Sequence, residues 1–226
     1  MGHSMNRTVV ILAAGKGTRV AQITAGKNKC LIALGQRTAA EHILDHFNAN
    51  DNVIFVLNEN DTHSEQFIRS RVDRNLTFVY TDRQQGPGDS LSSARHLLNE
   101  PFILWYCDTI LDEDIPFDFT NDSIICSRQY QENYSKYMIV PNNEIIIDKA
   151  SNRFCNDNLF YIGLSYIHNP TSFWKFYDDH PEEFKKLCDI AYVNSTKRFS
   201  KFITDRWYDV GNISSYEVAK TEFDSR

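Results

Sequence analysis

The sequence predicts an α/β fold: a Rossmann-like, mixed but mainly parallel sheet flanked by helices, with a smaller α+β lobe appended. Three observations predict it. Apolar runs rich in β-branched and aromatic residues alternate with stretches of helical period from the start of the chain. A glycine-bearing loop follows the first of these runs directly, and beyond about residue 115 the strand-like pieces become shorter and less regular.

Thr8 to Ala13 reads as the first strand. Thr38-Ala39-Ala40-Glu41 has the form of a capping box, and Ala40, Ile43, Leu44 and Phe47 follow at the spacing of one helix face. Val53 to Leu57 is a second strand, Thr62 to Glu65 a second capping box ahead of Phe67, Ile68 and Val72, and Leu76 to Tyr80 a third strand. Gly86-Pro87-Gly88 opens a helix carrying Leu91, Ala94, Leu97 and Leu98. Phe102 to Cys107 is almost continuously apolar, as a strand covered on both faces must be. In the second half, 123–126, 137–140, 144–147 and 159–167 read as strands and 170–187 as helical, and Ser214 to Glu217 reads as a capping box for a final helix. With no Ser/Gly-rich linker between the halves, 6–226 is expected to form one domain, divided near residue 115.

Composition sets outer limits. The 226 residues carry 24 Lys and Arg against 30 Asp and Glu, a net charge of −6, which removes the global positive field that non-specific nucleic-acid or membrane-surface binding draws on. The longest apolar runs, Val9 to Ala14 and Phe102 to Cys107, fall far below the ~18–20 residues needed to cross a bilayer. Cys30, Cys107, Cys126, Cys155 and Cys188 are odd in number and never form a C-x-x-C pair, which argues against a disulfide framework or zinc ribbon and for a cytoplasmic setting. Residues 1–5 read as a cloning remnant ahead of a native start.

The chemistry concentrates in the loop Leu12-Ala13-Ala14-Gly15-Lys16-Gly17-Thr18-Arg19. It lies at the carboxyl edge of the sheet, where open α/β folds bind ligands. Glycines there admit phosphate oxygens to backbone N–H groups, and Lys16 and Arg19 supply countercharge. No P-loop register fits, and Val20 stands where a dinucleotide fingerprint needs its third glycine. Taken alone, the loop is equally compatible with a tight strand-to-helix turn bearing two solvated cations.

Further motifs in order give this loop its meaning. Asn28-Lys29-Cys30-Leu31, Gln84-Gln85-Gly86-Pro87-Gly88, Cys107-Asp108-Thr109, Asp148-Lys149-Ala150 and Trp207-Tyr208-Asp209-Val210-Gly211 follow along the chain. With them the sequence resembles the sugar-phosphate nucleotidyltransferases, or NDP-sugar pyrophosphorylases, whose segments read L-x-A-G-x-G-T-R, P-K-x-L, Q-x-G-T-x, G-D, E-K-P and W-x-D-x-G. The resemblance runs from about Val9 to Ala219. It implies the nucleotide-diphospho-sugar transferase fold, with 6–115 as the nucleotide-binding half and 116–226 as the acceptor-binding half. It also implies a Mg²⁺-dependent condensation of a nucleoside triphosphate with a sugar-1-phosphate, feeding polysaccharide biosynthesis.

Carried over residue by residue, the resemblance makes Lys16, Arg19, Lys29, Asp108 and Asp209 catalytic, with Asp108 and Asp209 holding Mg²⁺. Leu12, Ala14, Gly15, Gly17, Thr18, Gln84 and Gly86 would bind the nucleotide, and Asp148, Lys149 and Gly163 the acceptor. The expected partners are therefore these two small molecules, with neither nucleic acid nor membrane; a homo-oligomer stays open. The departures cluster on the acceptor side: around Lys136-Tyr137 a glycine is lost, Asp148 shortens the usual Glu, and Gly163-Leu164-Ser165 lacks a tyrosine. A cytidylyltransferase acting on a non-sugar phosphate or phosphonate such as phosphocholine is the alternative, and a catalytically silent nucleotide sensor of the same fold another.

Other constellations read as ordinary structure. His42 and His46 have the i, i+4 spacing of a metal pair but are expected to be exposed helix histidines. Asp112-Glu113-Asp114 is expected to be a solvated acidic turn, Lys185, Lys186, Lys197, Arg198 and Lys201 a solvated face, and Trp207 a core residue positioning Asp209. Phe154, Phe160, Tyr161 and Tyr166 are expected in the core or a pocket wall.

Overall fold

The computed structural model describes residues 6–115, 120–129, 137–139, 145–147 and 159–226. The first half contains β1 (Thr8–Ala13), α1 (Ala21–Thr24), β2 (Ala33–Leu34), β3 (Arg37–Thr38), α2 (Ala39–Leu44), β4 (Asn52–Asn58), α3 (Ser64–Arg71), β5 (Leu76–Thr81), α4 (Pro87–Ser92), β6 (Phe102–Tyr106) and β7 (Thr109–Leu111). The second contains β8 (Ser123–Ser127), β9 (Tyr137–Ile139), β10 (Ile145–Ile147), β11 (Leu159–Ile167), α5 (Pro170–Asp179), α6 (Pro181–Leu187), α7 (Asp189–Thr196), β12 (Ser200–Ile203), β13 (Trp207–Asp209) and α8 (Ile213–Asp224).

The main sheet runs β10-β9-β11-β6-β1-β4-β5, with β8 and β12 joined through β11. β6, β1, β4 and β5 are parallel, and β11 joins them antiparallel to β6, so the second half extends the same sheet. This is the fold class predicted from the alternation of apolar runs and helical periods. Successive residues of a strand face opposite sides, and both sides are covered. Val9, Ile11, Phe55 and Trp105 pack with Ile43 of α2 and Ala219 of α8. Val10, Leu12, Ile54 and Leu104 pack instead with Leu91 of α4, Phe173 of α5, Phe184 of α6 and Tyr192 of α7. No helix among the described residues is long and apolar enough to cross a membrane.

Helix starts show where side chains outrank pattern. Thr38 and Glu41 form the predicted capping box, each side chain bonded to the other's backbone N–H. The other two helices for which a capping box is predicted begin differently. Asp61, not Thr62, accepts from the backbone N and the hydroxyl of Ser64 at the start of α3. Asn212, not Ser214, caps α8 by accepting from Ser215 N at 3.0 Å. On α3, Ile68 is buried whereas Phe67 is 40% exposed.

The glycines opening α4 serve packing. A Cβ on Gly88 would lie 2.1 Å from the Phe184 carbonyl oxygen, and one on Gly86 2.2 Å from that of Lys185. α4 and α6 therefore meet backbone to backbone, and this contact fixes the segment Gln84–Gly86 beside the sheet. Gly88→Ala is expected to destabilise the fold by about 1–3 kcal/mol through overpacking, lowering Tm by several degrees in calorimetry. An unchanged Tm would show that α6 yields without cost.

Candidate active site

The site grows from the carboxyl edge of β1 and β6. Beyond β1, Ala14 is buried whereas Gly15 and Lys16 are exposed. A Cβ on Gly15 would meet nothing within 4 Å, so the backbone there faces open space. Gly17 adopts φ +60°, and a Cβ on it would press on the Lys29 stem at 3.2 Å. Gly17 thus allows the loop to close over the lysine.

Lys29 is held from beneath by Asn28. The Asn28 side chain accepts from Cys30 N at 3.0 Å and donates to the Ala13 carbonyl at 2.6 Å and to Asp61 at 2.8 Å. The residue that departs from the P-K-x-L pattern is therefore a three-way tie between β1, the Lys29 turn and the start of α3. Its φ of −64° is one that proline also adopts, so the two residues fit the same backbone by different means.

Asp108 sits in a turn whose backbone is fixed on several sides. Cys107 N donates to the Leu12 carbonyl at 3.2 Å, and Val210 N to the Asp108 carbonyl at 2.9 Å. Trp105 Nε1 donates to the Thr109 carbonyl at 2.8 Å, and the Thr109 hydroxyl to the Ile162 carbonyl at 2.5 Å. β13 pairs antiparallel with β7, setting Asp209 opposite Thr109 and so beside Asp108, across about a hundred residues of sequence. Trp207, two residues earlier on β13, is buried in the core as expected.

The charges form one cluster. Lys29 Nζ bonds Asp108 Oδ2 directly. Burial alone would lower the Lys29 pKa, but Asp108 outweighs it and raises the pKa. Burial pushes the Asp108 carboxyl up, and Lys29, helped by Arg19, brings it below its ordinary value. Asp209, fully buried, accepts from Gly211 N and Asn212 Nδ2, both at 2.7 Å, so the residue capping α8 also holds this carboxylate. Burial, then the neighbouring Asp108 charge, push the Asp209 carboxyl up to about 7.

Gly211 shows how close the two carboxylates are. A Cβ there would come 2.6 Å from Asp108 Oδ2 and 2.9 Å from Asp209 Oδ1. Two converging carboxylates, one carrying a charge that burial and its neighbour oppose, suit a hard divalent cation such as Mg²⁺, which takes one or two carboxylates and completes its shell with water and phosphate. Among the described residues no cluster of three or more His, Cys, Asp or Glu could hold a metal.

A cavity of about 350 Å³ gathers most of the predicted residues: Leu12, Ala14, Gly15, Lys16, Arg19, Lys29, Gln84, Gly86 and Asp108 line it. Its volume lies within the small-molecule range of about 300–1,000 Å³. Gly17 and Thr18 lie in the same loop without lining the cavity, and Asp209 reaches it through Asp108. Gly163 is buried in β11 with φ +89°, where the pairing with β8 slips, and it does not line the cavity. Asp148, Lys149, Lys136, Phe154 and Cys155 lie outside the described residues.

Sequence reasoning missed Ser90 and Tyr106 in the lining and gave Tyr161 no role beyond core or wall. Tyr106 precedes Asp108 by two residues at the end of β6, a placement that could have flagged it. His42 and His46, expected to be exposed, are half-buried and separately engaged. His42 lies against Phe223 with ring centroids 4.6 Å apart, and His46 against Trp105 at 5.3 Å, where burial lowers its pKa. Asp112, expected to be solvated, is clamped by Arg226 and Arg206, which hold its carboxyl down at about 2. Cys30, Cys107, Cys126 and Cys188 are buried free thiols whose pKa values burial raises.

Glycine loop, basic side chains and paired aspartates thus meet at one parallel-sheet edge. Residues 9–117 match the MobA-like NTP transferase domain. The bifunctional protein GlmU of Methanococcus maripaludis is 22% identical over 218 residues, covering 90% of this chain and 51% of the relative. The chain spans about half the length of the curated relatives it matches, or less.

Among solved structures, a UTP-bound UGPase from Acinetobacter baumannii superposes with a TM-score of 0.76 at 15% identity, covering 97% of this chain and 93% of the other. The CTP:phosphocholine cytidylyltransferase of Streptococcus pneumoniae superposes with a TM-score of 0.70 at 19% identity, covering 96% and 99%. At such identities the likeness is one of fold.

Asn28→Ala removes the tie beneath Lys29 and leaves Asp61 without one donor. It is expected to cost about 1–3 kcal/mol, read as a lower urea midpoint with unchanged slope. A variant as stable as the wild type would show that these bonds only replace bonds to water.

Proposed function

We propose that the protein condenses a nucleoside triphosphate with a sugar-1-phosphate, releasing pyrophosphate and forming an NDP-sugar, with Mg²⁺ held by Asp108 and Asp209. The observation that carries this reading is the convergence of Lys29, Asp108 and Asp209 beside the Leu12–Arg19 loop. A phosphate oxygen of the acceptor attacks the α-phosphorus, a new P–O bond forms, and the bond to the bridging oxygen of the leaving pyrophosphate breaks. The acceptor monoester has its second pKa near about 6 and needs no general base at neutral pH. The barrier lies in bringing two polyanions together, so positioning and charge neutralisation are what the protein must supply.

Lys16 and Arg19, exposed at the cavity mouth, are placed to neutralise the β- and γ-phosphates that leave. Lys29, mostly buried, carries a positive charge where negative charge gathers on the transferred group. Gln84, on the lining beside Gly86, offers an amide that can both donate to and accept from a base edge. When bound, Mg²⁺ would screen the phosphate oxygens and orient them for in-line displacement. Asp148, Lys149 and Gly163 are assigned to the acceptor on the family motif alone.

A second reading has a specific observation behind it. The acceptor-side departures, among them Gly163-Leu164-Ser165, leave room for a cytidylyltransferase acting on a non-sugar phosphate such as phosphocholine. A silent nucleotide sensor fits less well, because Lys16, Arg19, Lys29, Asp108 and Asp209 are all present.

The test is a pyrophosphate-release screen of the common nucleoside triphosphates against sugar-1-phosphates, phosphocholine and aminoethylphosphonate, with Mg²⁺. Release with a sugar-1-phosphate is expected. Release only with the amino-alcohol acceptors would transfer the assignment to the second reading, and nucleotide binding without release would point to a sensor. In the active pair, Asp108→Asn is expected to lower kcat by about 10²–10³-fold or more with the protein still folded; near-normal release would remove Asp108 from the chemistry. Gly211→Ala, which crowds both carboxylates, should raise the Mg²⁺ concentration giving half-maximal rate by about tenfold, and chelation of the metal should abolish turnover until Mg²⁺ is restored.

A further inference from the structure

Behind the cavity lies a buried carboxylate that the chemistry above does not use. Asp189, the first residue of α7, is fully buried. Its Oδ1 accepts from the Tyr106 hydroxyl at 3.0 Å and its Oδ2 from the Tyr161 hydroxyl at 2.5 Å. Both of these donors are neutral hydroxyls, and burial raises the carboxyl's pKa against the pull of these bonds and of Ser165. An aspartate in such a place contributes little to stability that an apolar residue would not.

The backbone that delivers Asp189 is itself costly. Cys188, joining α6 to α7, adopts φ +52° and ψ −125°, a conformation that side-chain-bearing residues rarely take and that persists only where its surroundings impose it. The two tyrosines come from different strands, Tyr106 at the end of β6 and Tyr161 on β11. Beyond Tyr161, the pairing of β11 with β8 slips around Gly163. The two rings stand edge to face, with centroids 6.3 Å apart and planes at 83°. Both line the cavity that also holds Lys29 and Asp108. With their hydroxyls engaged by Asp189, what they offer a ligand is aromatic surface.

Tyr106 stands beside Leu12 of β1, and strand order sets Tyr161 one strand further from the nucleotide loop. The nucleotide loop leaves β1, whereas β11 lies on the far side of β6 from β1. We infer that Asp189 is a positioning residue for the acceptor: by holding both tyrosine hydroxyls it locks Tyr106 and Tyr161 into a rigid aromatic wall against which the non-phosphate part of the acceptor packs. This rests on reading the cavity as a nucleotidyltransferase site. The wall suits a C–H-rich face, which a sugar ring and a trimethylammonium group both present; the acceptor panel distinguishes them.

The experiment is steady-state kinetics on the full chain with Mg²⁺, using the nucleotide and acceptor pair that gives release, for Asp189→Asn, Asp189→Ala and Tyr161→Phe. Asp189→Asn should raise the acceptor KM about tenfold while the nucleotide KM stays within about twofold. Asp189→Ala should exceed it, and Tyr161→Phe, which keeps the ring and loses one bond, should fall below it. The preference for the best acceptor over the others, in kcat/KM, should narrow in the same order. Should Asp189→Ala fail to fold, the other two variants carry the test. An equal rise in both KM values, or a lowered Tm with the acceptor KM unchanged, would overturn the inference alone. Absence of release by the wild type with every pair would overturn the functional reading and this inference with it.

Discussion

The ion pair between Lys29 and Asp108 is the constraint around which the site is built. Asp108 is buried at the end of β6, and Asp209 is buried beside it. Two carboxylates this close cannot both hold their charge out of water without a cation nearby. Lys29 supplies one to Asp108, whereas burial and the Asp108 charge together hold the Asp209 carboxyl up. The cluster must be local, because the chain as a whole is acidic. A positive pocket on an anionic protein depends on where a few side chains point rather than on composition.

Keeping those side chains in place occupies much of the surrounding structure. Asn28 ties the lysine turn to β1 and to Asp61, and Asp61 in turn starts α3. Thr109 bonds the aspartate turn to β11, and Asn212 joins the cap of α8 to Asp209. Helix starts and strand ends are therefore shared between folding and function. A substitution at any of these residues would loosen a secondary-structure element and misplace a charge together. On the opposite side of the sheet edge, the backbone contact of α4 with α6 sets Gln84–Gly86, and the corner after α6 sets Asp189 behind the aromatic wall.

The parallel strands, the glycine loop and the order of motifs were legible because each depends on local pattern: two-residue alternation, helical period and glycine spacing. The cap at Thr38 was legible for the same reason. The caps at Asp61 and Asn212 were not, because each is selected by a neighbour remote from the box motif: Asn28 donates to Asp61, and Asp209 receives the Asn212 amide. The half-burial of His42 and His46 was equally hidden, since it depends on Phe223 and Trp105, which arrive from other parts of the chain. Asp112 reads as a solvated acid until Arg206 and the final residue, Arg226, fold onto it.

By itself the sequence determined the fold class and the reactive residue types: a parallel sheet edge bearing a glycine loop, lysines and two aspartates. The sheet and the loop follow from periodicity and spacing, which act over a few residues, and the aspartates are singled out by the resemblance to a family of ordered motifs. Only the tertiary structure decided that Asp209 faces Asp108 across Gly211. It alone placed Gly163 in a bulge rather than in the cavity lining, and joined Tyr106, Tyr161 and Asp189 into one buried unit. Those relations depend on strand register and on contacts between distant segments, and a buried charge or hydroxyl finds its partner only once both have left water.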